Sequence, residues 1–290
     1  MKIEQNLWTE GKGWESALPG DLGRSAQLVM MFGSRSVLKK NDLLEKVKKA
    51  YPSANYIGCS TSGEIYGTQV YDESLVVTAV QFEHSHIATA KVRIENSDED
   101  CFQLGKRLVQ SLPKEGLRHI FVLSDGLRVK ASDLIAGMTK HLLGRIAVTG
   151  GLSGDGALFK ETLVLLNGEP EQDIVAALGF YGDRLKVGYG AMGGWDPFGP
   201  ERVITRSKGN ILYEFEGEPA LALYKNYLGD QAKGLPATGL HYPLSLRAKE
   251  GTTSVVRTVL SVDEKEQSMI FAGDIPQGVY ARLMRANYER

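Results

Sequence analysis

Two stretches of this chain, residues 28–64 and 119–155, follow one pattern at a constant offset of 91 with no gap. Leu28-Val29-Met30-Met31-Phe32 corresponds to His119-Ile120-Phe121-Val122-Leu123, and Asp42-Leu43-Leu44 to Asp133-Leu134-Ile135. Each copy reads as apolar strand, polar loop, amphipathic helix and apolar strand. Each closes on a serine, a glycine and an acid, Ser62-Gly63-Glu64 and Ser153-Gly154-Asp155. Two copies set among other material are too few for a solenoid. They predict one α/β domain with two related halves and a ligand cleft between them.

The fold class expected is α/β, with mixed sheets, flanking helices and half-units at about 28–64 and 119–155. A smaller α+β part follows, and the division is expected between 1–205 and 206–290. Polar, glycine-rich residues 5–25 predict an arm anchored by Trp8 and Trp14. Short apolar or alternating runs predict strands at 27–32, 56–57, 74–82, 87–94, 119–124 and 146–149. Helical spacing falls at 41–50, 99–112 and 132–143. Residues 162–166 and 174–180 are expected to form a hairpin across Asn167-Gly168. One more strand is expected at 185–190, then a stiff loop over Gly190–Pro200. Glu218-Pro219-Ala220 opens a helix that Gly229 closes. Strands at 255–262 and 269–272 are expected to pair, and a last helix starts at Tyr280 and stops in mid-pattern.

Composition narrows the function classes. With a formal net charge of −1 and basic residues scattered among acidic ones, the chain has no cationic stripe for nucleic acid. No apolar run approaches the roughly 18 residues of a membrane span. The start, Met1-Lys2-Ile3-Glu4, lacks the layout of a secretory signal. Cys59 and Cys101 make no disulfide or metal framework. A cytoplasmic protein that binds neither nucleic acid nor membrane is expected.

Gly58-Cys59-Ser60-Thr61-Ser62-Gly63-Glu64 falls one residue short of the nucleophile elbow, with Ser62 where a glycine belongs. A hydrolase or transferase using the Cys59–Ser62 turn is therefore one alternative. Exposed hydroxyls and amides at strand ends fit a polar ligand pocket better. Gly150-Gly151-Leu152-Ser153-Gly154-Asp155-Gly156 resembles a phosphate loop, but a strand and not a helix is expected after it. Gly188-Tyr189-Gly190-Ala191-Met192-Gly193 matches a dinucleotide motif and runs into a loop. Glu64 and Asp155, at equivalent places in the two copies, could act as paired acids or hold an ammonium group. Turn stabilisation explains them equally well. No pair of histidines has the helical spacing of a hydrolytic zinc site.

Together these residues resemble the FIST domain family of bacterial intracellular signal sensors. The resemblance rests on Ile57–Glu64, Gly150–Gly156, Gly194-Trp195 and Val203–Ser207. It continues through Pro219-Ala220-Leu221, Tyr242-Pro243-Leu244, Val256-Arg257 and Ile275-Pro276-Gln277-Gly278. It implies a FIST N-like sensory domain followed by a partial FIST C-like domain, whose family counterpart normally runs well beyond residue 290. The implied function is non-catalytic binding of a small ligand, an amino acid or similar polar metabolite. The implied partners are a histidine kinase, a chemotaxis receptor or a cyclic-di-nucleotide enzyme. One subgroup of the family senses nitric oxide through haem, which makes haem the alternative cofactor. For an amino acid, Ser60, Ser62, Glu64, Ser153 and Asp155 would line the pocket, with Arg206 for a carboxylate. For haem, Trp195 and Phe198 would form a wall, His241 or His84 would ligate iron, and Cys59 would be a competing thiolate.

Overall fold

The apolar runs that open the two repeats are strands buried on both faces, which explains their continuous hydrophobicity. In the computed structural model, which describes residues 1–18, 20–96, 99–142, 146–156, 158–190, 193–248 and 254–287, each run lies inside a mixed sheet. Leu28–Gly33 pairs in parallel with Asn55–Ser60 and antiparallel with Ser74–Gln81. Leu117–Ser124 pairs in parallel with Ala147–Leu152 and antiparallel with Ile174–Tyr181. An edge strand completes each set, Lys2–Thr9 beside Ser74–Gln81 and His86–Arg93 beside Ile174–Tyr181. The duplication thus reaches beyond the stretch visible in the sequence: each half carries the same four strands in the same spatial order.

The halves form one compact unit, Met1–Tyr189. Strand parity sorts its core into layers. Val29 and Met31 pack under the helix Asn41–Ala50, on Leu43, Leu44 and Val47. Ile120 and Val122 pack under the helices Cys101–Gln110 and Ala131–Lys140. The opposite faces meet in the middle, where Leu28, Ile57 and Val80 of one sheet join Leu123, Ala176 and Leu178 of the other. The order is helix, sheet, sheet, helix.

Three expectations are corrected here. Residues 5–25 are not simply an arm, because Lys2–Thr9 is a strand paired along its whole length. Val164–Leu166 forms no hairpin with Ile174–Tyr181; it crosses to pair antiparallel with Asn55–Ser60, adding a second-half strand to the first-half sheet. Residues 185–190 form no strand.

The second unit, Gly190–Arg290, is a curled antiparallel sheet with, among the described residues, one α-helix, Ala220–Leu228, against it. Its core gathers Ile204, Leu212, Phe215, Leu221, Tyr224, Met269 and Phe271. Pro219 precedes the helix and Gly229 ends it at φ 55°, as their sequence positions predict. Val259–Asp263 pairs with Ser268–Phe271. Two readings fail in this unit. Of the expected loop over 190–200, residues 195–200 belong to a long strand, Trp195–Lys208, and residues 191–192 lie outside the described residues. A register shift between Pro197 and Glu201 takes Pro200, which has no N–H to give, out of the ladder. The expected last helix is a strand, Tyr280–Ala286, lying between Trp195–Lys208 and Leu244–Arg247. Its Ala281 and Leu283 are buried and Arg282 is exposed, the two-residue period of a strand. Residues 288–290 of that expected helix lie outside the described residues. The expected 205/206 seam falls inside Trp195–Lys208, whereas the compact units divide between Tyr189 and Gly190.

Candidate functional site

Parallel strands end together, and the loops leaving their carboxyl ends are the usual place for a ligand in an α/β sheet. In the first half, Ser34-Arg35-Ser36 leaves Leu28–Gly33 and Thr61-Ser62-Gly63 leaves Asn55–Ser60. Asp155, Gly156 and Leu158 of the second half approach the same place. With Glu64, Asp72 and Glu73 they enclose a polar cavity of about 260 Å³. That is slightly below the roughly 300 Å³ at which pockets for drug-sized ligands begin, so the space suits a small metabolite.

The two turns touch. Gly154 donates its N–H to the Ser60 carbonyl at 2.7 Å, and a Cβ on Gly154 would stand 2.5 Å from the Ser62 hydroxyl. Only glycine allows this approach. Ser62 in turn accepts the Gly156 N–H at 3.1 Å. The structure also corrects the alignment of the repeats. Thr61 N–H bonds the Gly33 carbonyl and Ser153 N–H bonds the Ser124 carbonyl, so these turns correspond at an offset of 92. The opening strands, Leu28 against His119, keep the offset of 91 while their parallel partners stand at 92, so the second copy carries one extra residue between its two parallel strands. Glu64 and Asp155 are consequently not equivalents.

Their surroundings differ too. Glu64 is buried, and it begins a short hairpin in which Glu64–Tyr66 pairs with Gln69–Tyr71. Its carboxylate accepts from the Thr61 hydroxyl at 2.5 Å and from the Ser74 hydroxyl and N–H at 2.6 and 3.2 Å. Burial raises its pKa, opposed by those hydrogen bonds and reinforced by the charge of Asp72. Asp155 is also buried, but its Oδ2 accepts the Lys160 and Glu161 N–H groups at 3.0 Å each. The same oxygen takes the Arg35 guanidinium at 3.2 Å. Arg35 also approaches Glu161 at 3.6 Å and keeps a quarter of its side chain exposed toward solvent. Glu73 accepts from the Ser36 hydroxyl at 2.5 Å.

Of the residues expected to bind ligand, Ser62, Glu64 and Asp155 line the cavity, and Cys59, Ser60, Ser153, Trp195 and Arg206 do not. Cys59 lies among Ile57, Val80 and Val164 in the inter-sheet core, and burial pushes its thiol up to about 12, leaving no thiolate at neutral pH. The Ser60 hydroxyl accepts the Leu163 N–H. The Ser153 hydroxyl donates to the Ser124 carbonyl and accepts the Gly126 N–H. Both secure backbone. Trp195 and Arg206 belong to the second unit, where Arg206 pairs with Glu214 at 2.7 Å and lies over the Tyr213 ring.

The nucleophile reading loses its machinery in this geometry. No histidine lines the cavity beside Ser62, and no helix follows the 59–63 turn. The Gly150–Gly156 motif likewise runs through a strand into a turn, and residues 191–192 of the other glycine motif lie outside the described residues. His119 is buried against Thr149, and His141 donates to the Gly137 carbonyl. His84 and His241 are exposed, one in each unit. Among the described residues no group of three or more His, Cys, Asp or Glu is placed to hold a metal ion. An apolar crevice in the second unit, lined by Phe215, Leu223, Tyr224, Tyr227, Leu244 and Leu283, offers about 20 Å³ and no imidazole. That is room for about one water molecule, so this crevice does not fit haem.

Sequence reasoning missed Ser34, Arg35, Ser36, Asp72 and Glu73. A signal existed for the first three: they leave the opening strand of the repeat, as Asp125 does in the second copy, and that is a ligand-facing position by topology.

Fold and cavity together define a duplicated α/β domain with a polar cavity at its strand ends, followed by a β-rich unit. The FIST N domain matches residues 27–218 and the FIST C domain residues 220–290. The chain belongs to the FIST family, whose domains are sensory modules of signal transduction. It is 23% identical, over 300 aligned positions, to the uncharacterized protein MJ1623 of Methanocaldococcus jannaschii. That match takes in 93% of this chain and 56% of the relative, so the chain spans little more than half the relative's length. No helix among the described residues is long and apolar enough to cross a membrane.

Proposed function

We propose that Met1–Tyr189 is the receptor part of a cytoplasmic sensor and binds an amino acid or a closely similar small polar metabolite. The observation that carries this reading is the mixed charge of the cavity wall. Arg35 offers a partly exposed guanidinium, Glu64 a buried carboxylate, and Ser34, Ser36, Thr61 and Ser62 supply hydroxyls. Such a wall suits a zwitterion, with its carboxylate on Arg35 and its ammonium on Glu64. Arg35 thereby takes the role expected of Arg206.

Signalling requires a ligand that distinguishes two states of the protein. Arg35 belongs to the first half and Asp155 to the second. A ligand carboxylate would compete with Asp155 for Arg35 and so alter a tie between the halves. A histidine kinase, a chemotaxis receptor or a cyclic-di-nucleotide enzyme is the class of partner that would read the change.

Native mass spectrometry of the full chain as purified from cells, followed by calorimetric titration with the common amino acids, tests the reading. At least one amino acid should bind, and Arg35→Ala should weaken it tenfold or more, as expected for a charged hydrogen bond worth about 1.5–3 kcal/mol. Binding that survives Arg35→Ala unchanged would remove the reading. An added mass and Soret absorption of haem would replace it with the haem alternative.

A further inference from the structure

The cavity wall is not balanced in charge. One cation, Arg35, faces four carboxylates, Glu64, Asp72, Glu73 and Asp155. Arg35 is already committed to Asp155, at 3.2 Å, and to Glu161, at 3.6 Å. Among the described residues Glu64, Asp72 and Glu73 form no ion pair, and Asp72 makes no hydrogen bond either. Asp72 also raises the pKa of Glu64, so these two acids repel each other in the state described.

A neutral zwitterion leaves that excess in place, because it brings as much negative charge as positive. A ligand with a second cation relieves it. Resting on the amino-acid reading of the same cavity, we propose that the ligand is a basic amino acid, with an ammonium or guanidinium at the end of its side chain. Asp72 and Glu73 are the residues that select it. Both are exposed on the rim, whereas Glu64 is buried below them. The α-carboxylate takes Arg35, the α-ammonium takes Glu64, and the side-chain cation lies between the two rim acids. Glu73 is held for this by the Ser36 hydroxyl, which fixes the carboxylate without neutralising it. Acidic amino acids are rejected by the same three carboxylates.

Isothermal titration of the full chain with lysine, arginine, leucine, glutamate and 1,5-diaminopentane tests the proposal. Lysine or arginine should bind at least tenfold more tightly than leucine, and glutamate should not bind. The double variant Asp72→Asn, Glu73→Gln keeps side-chain size and hydrogen-bonding capacity. It should remove most of the lysine preference while leaving leucine within twofold of its original affinity. Equal affinity for leucine and lysine in the unmodified chain overturns the basic-ligand proposal and leaves the amino-acid reading standing. So does a double variant that loses both ligands equally. Diamine binding without any amino acid overturns the amino-acid reading and supports the cation-selecting role of the rim. No binding by any of the five overturns both.

Discussion

The two halves of the first unit share a strand order and differ in nearly everything laid over it. In the first half the helix Asn41–Ala50, with Val37 and Leu38 of the short helix Arg35–Leu38, covers the outer face of the sheet, helped by Trp8, Trp14, Leu18 and Leu22 from the N-terminal segment. In the second half, Cys101–Gln110 and Ala131–Lys140 share that task and press together at two glycines. A Cβ on Gly105 would lie 2.1 Å from the Leu134 carbonyl oxygen, and one on Gly137 would lie 2.0 Å from that of Phe102. The connections after the second parallel strand diverge as well. The first half inserts the hairpin of Glu64–Tyr66 and Gln69–Tyr71, and the second sends Val164–Leu166 across to the other sheet. The cavity lies where these two unlike insertions meet. Shared strands hold the fold, and the departures from symmetry make the site.

The sharpest way to break that comparison is on the two helices that cover the sheets. Lys46, on the helix of the first half, is exposed, whereas Gly137, on a helix of the second, is buried against the neighbouring helix. Gly137→Val sets a branched side chain against backbone, which cannot give way cheaply, and should cost about 3 kcal/mol or more. Lys46→Val, at a position facing solvent, should stay within about 0.5 kcal/mol. Calorimetric unfolding of both variants decides it. If they shift the transition alike, the close helix pair is wrong.

A smaller difference is expected just past the opening strands, at Ser34 and Asp125. Ser34 accepts one N–H, that of Val37, at 3.4 Å. Asp125 is buried and accepts from the Leu127 and Arg128 N–H groups, the Thr162 hydroxyl and the Asp173 N–H, all within 3.1 Å. Asp125→Ala leaves several donors unpaired and should cost about 2–3 kcal/mol. Ser34→Ala removes one weak cap and the part-buried bonds of its hydroxyl to Ser36 and Glu73, and should cost about 0.5–1 kcal/mol. Because Thr162 and Asp173 belong to the segment carrying Asp155, Asp125→Ala should also raise the exchange of amides over 153–163, measured by hydrogen–deuterium exchange. Ser34→Ala should leave those amides protected.

Where burial alone decides structure, the sequence is easy to read. Leu28–Gly33 and Leu117–Ser124 are apolar because both their faces are covered, and the helices of the repeat follow from one-sided spacing. Reading fails where a remote partner decides. Trp195–Lys208 and Tyr280–Ala286 are strands because they pair with each other across about 80 residues of chain, and neither local prolines nor a short amphipathic tail reveals that. The same holds for the site. Ser62, Glu64 and Asp155 stood out as Ser-Gly-acid turns. Arg35 opens a four-residue helix just past the first strand, a position topology points to, whereas Asp72 and Glu73 lie on a loop of ordinary composition that sheet pairing brings to the same place. Ser60 and Ser153 were recognised as strand-end hydroxyls, but sequence could not tell that backbone amides and carbonyls had already claimed them.

The smallest effect tests the two buried carboxylates against each other. Glu64 is held by hydroxyls and an amide without a cation, whereas Asp155 has Arg35. Since the folded pKa of Glu64 lies above its usual 4.5, the native state binds the proton more tightly than the unfolded chain. Its contribution therefore favours folding below 4.5 and is lost as pH rises through the folded value. At neutral pH the ionised group is a net cost. Glu64→Gln keeps an oxygen for the Ser74 N–H and removes the charge. It should raise Tm slightly at pH 7, with the gain fading toward pH 4. Asp155→Asn, which strips Arg35 of its nearer partner and leaves only Glu161 at 3.6 Å, should lower Tm at pH 7. Thermal melts of the three proteins from pH 4 to 8 check both signs. If the unmodified chain is the more stable at neutral pH, and increasingly so as pH rises, then ionised Glu64 is matched by a cation, and repeating the melts after exhaustive dialysis shows whether the pocket had carried one.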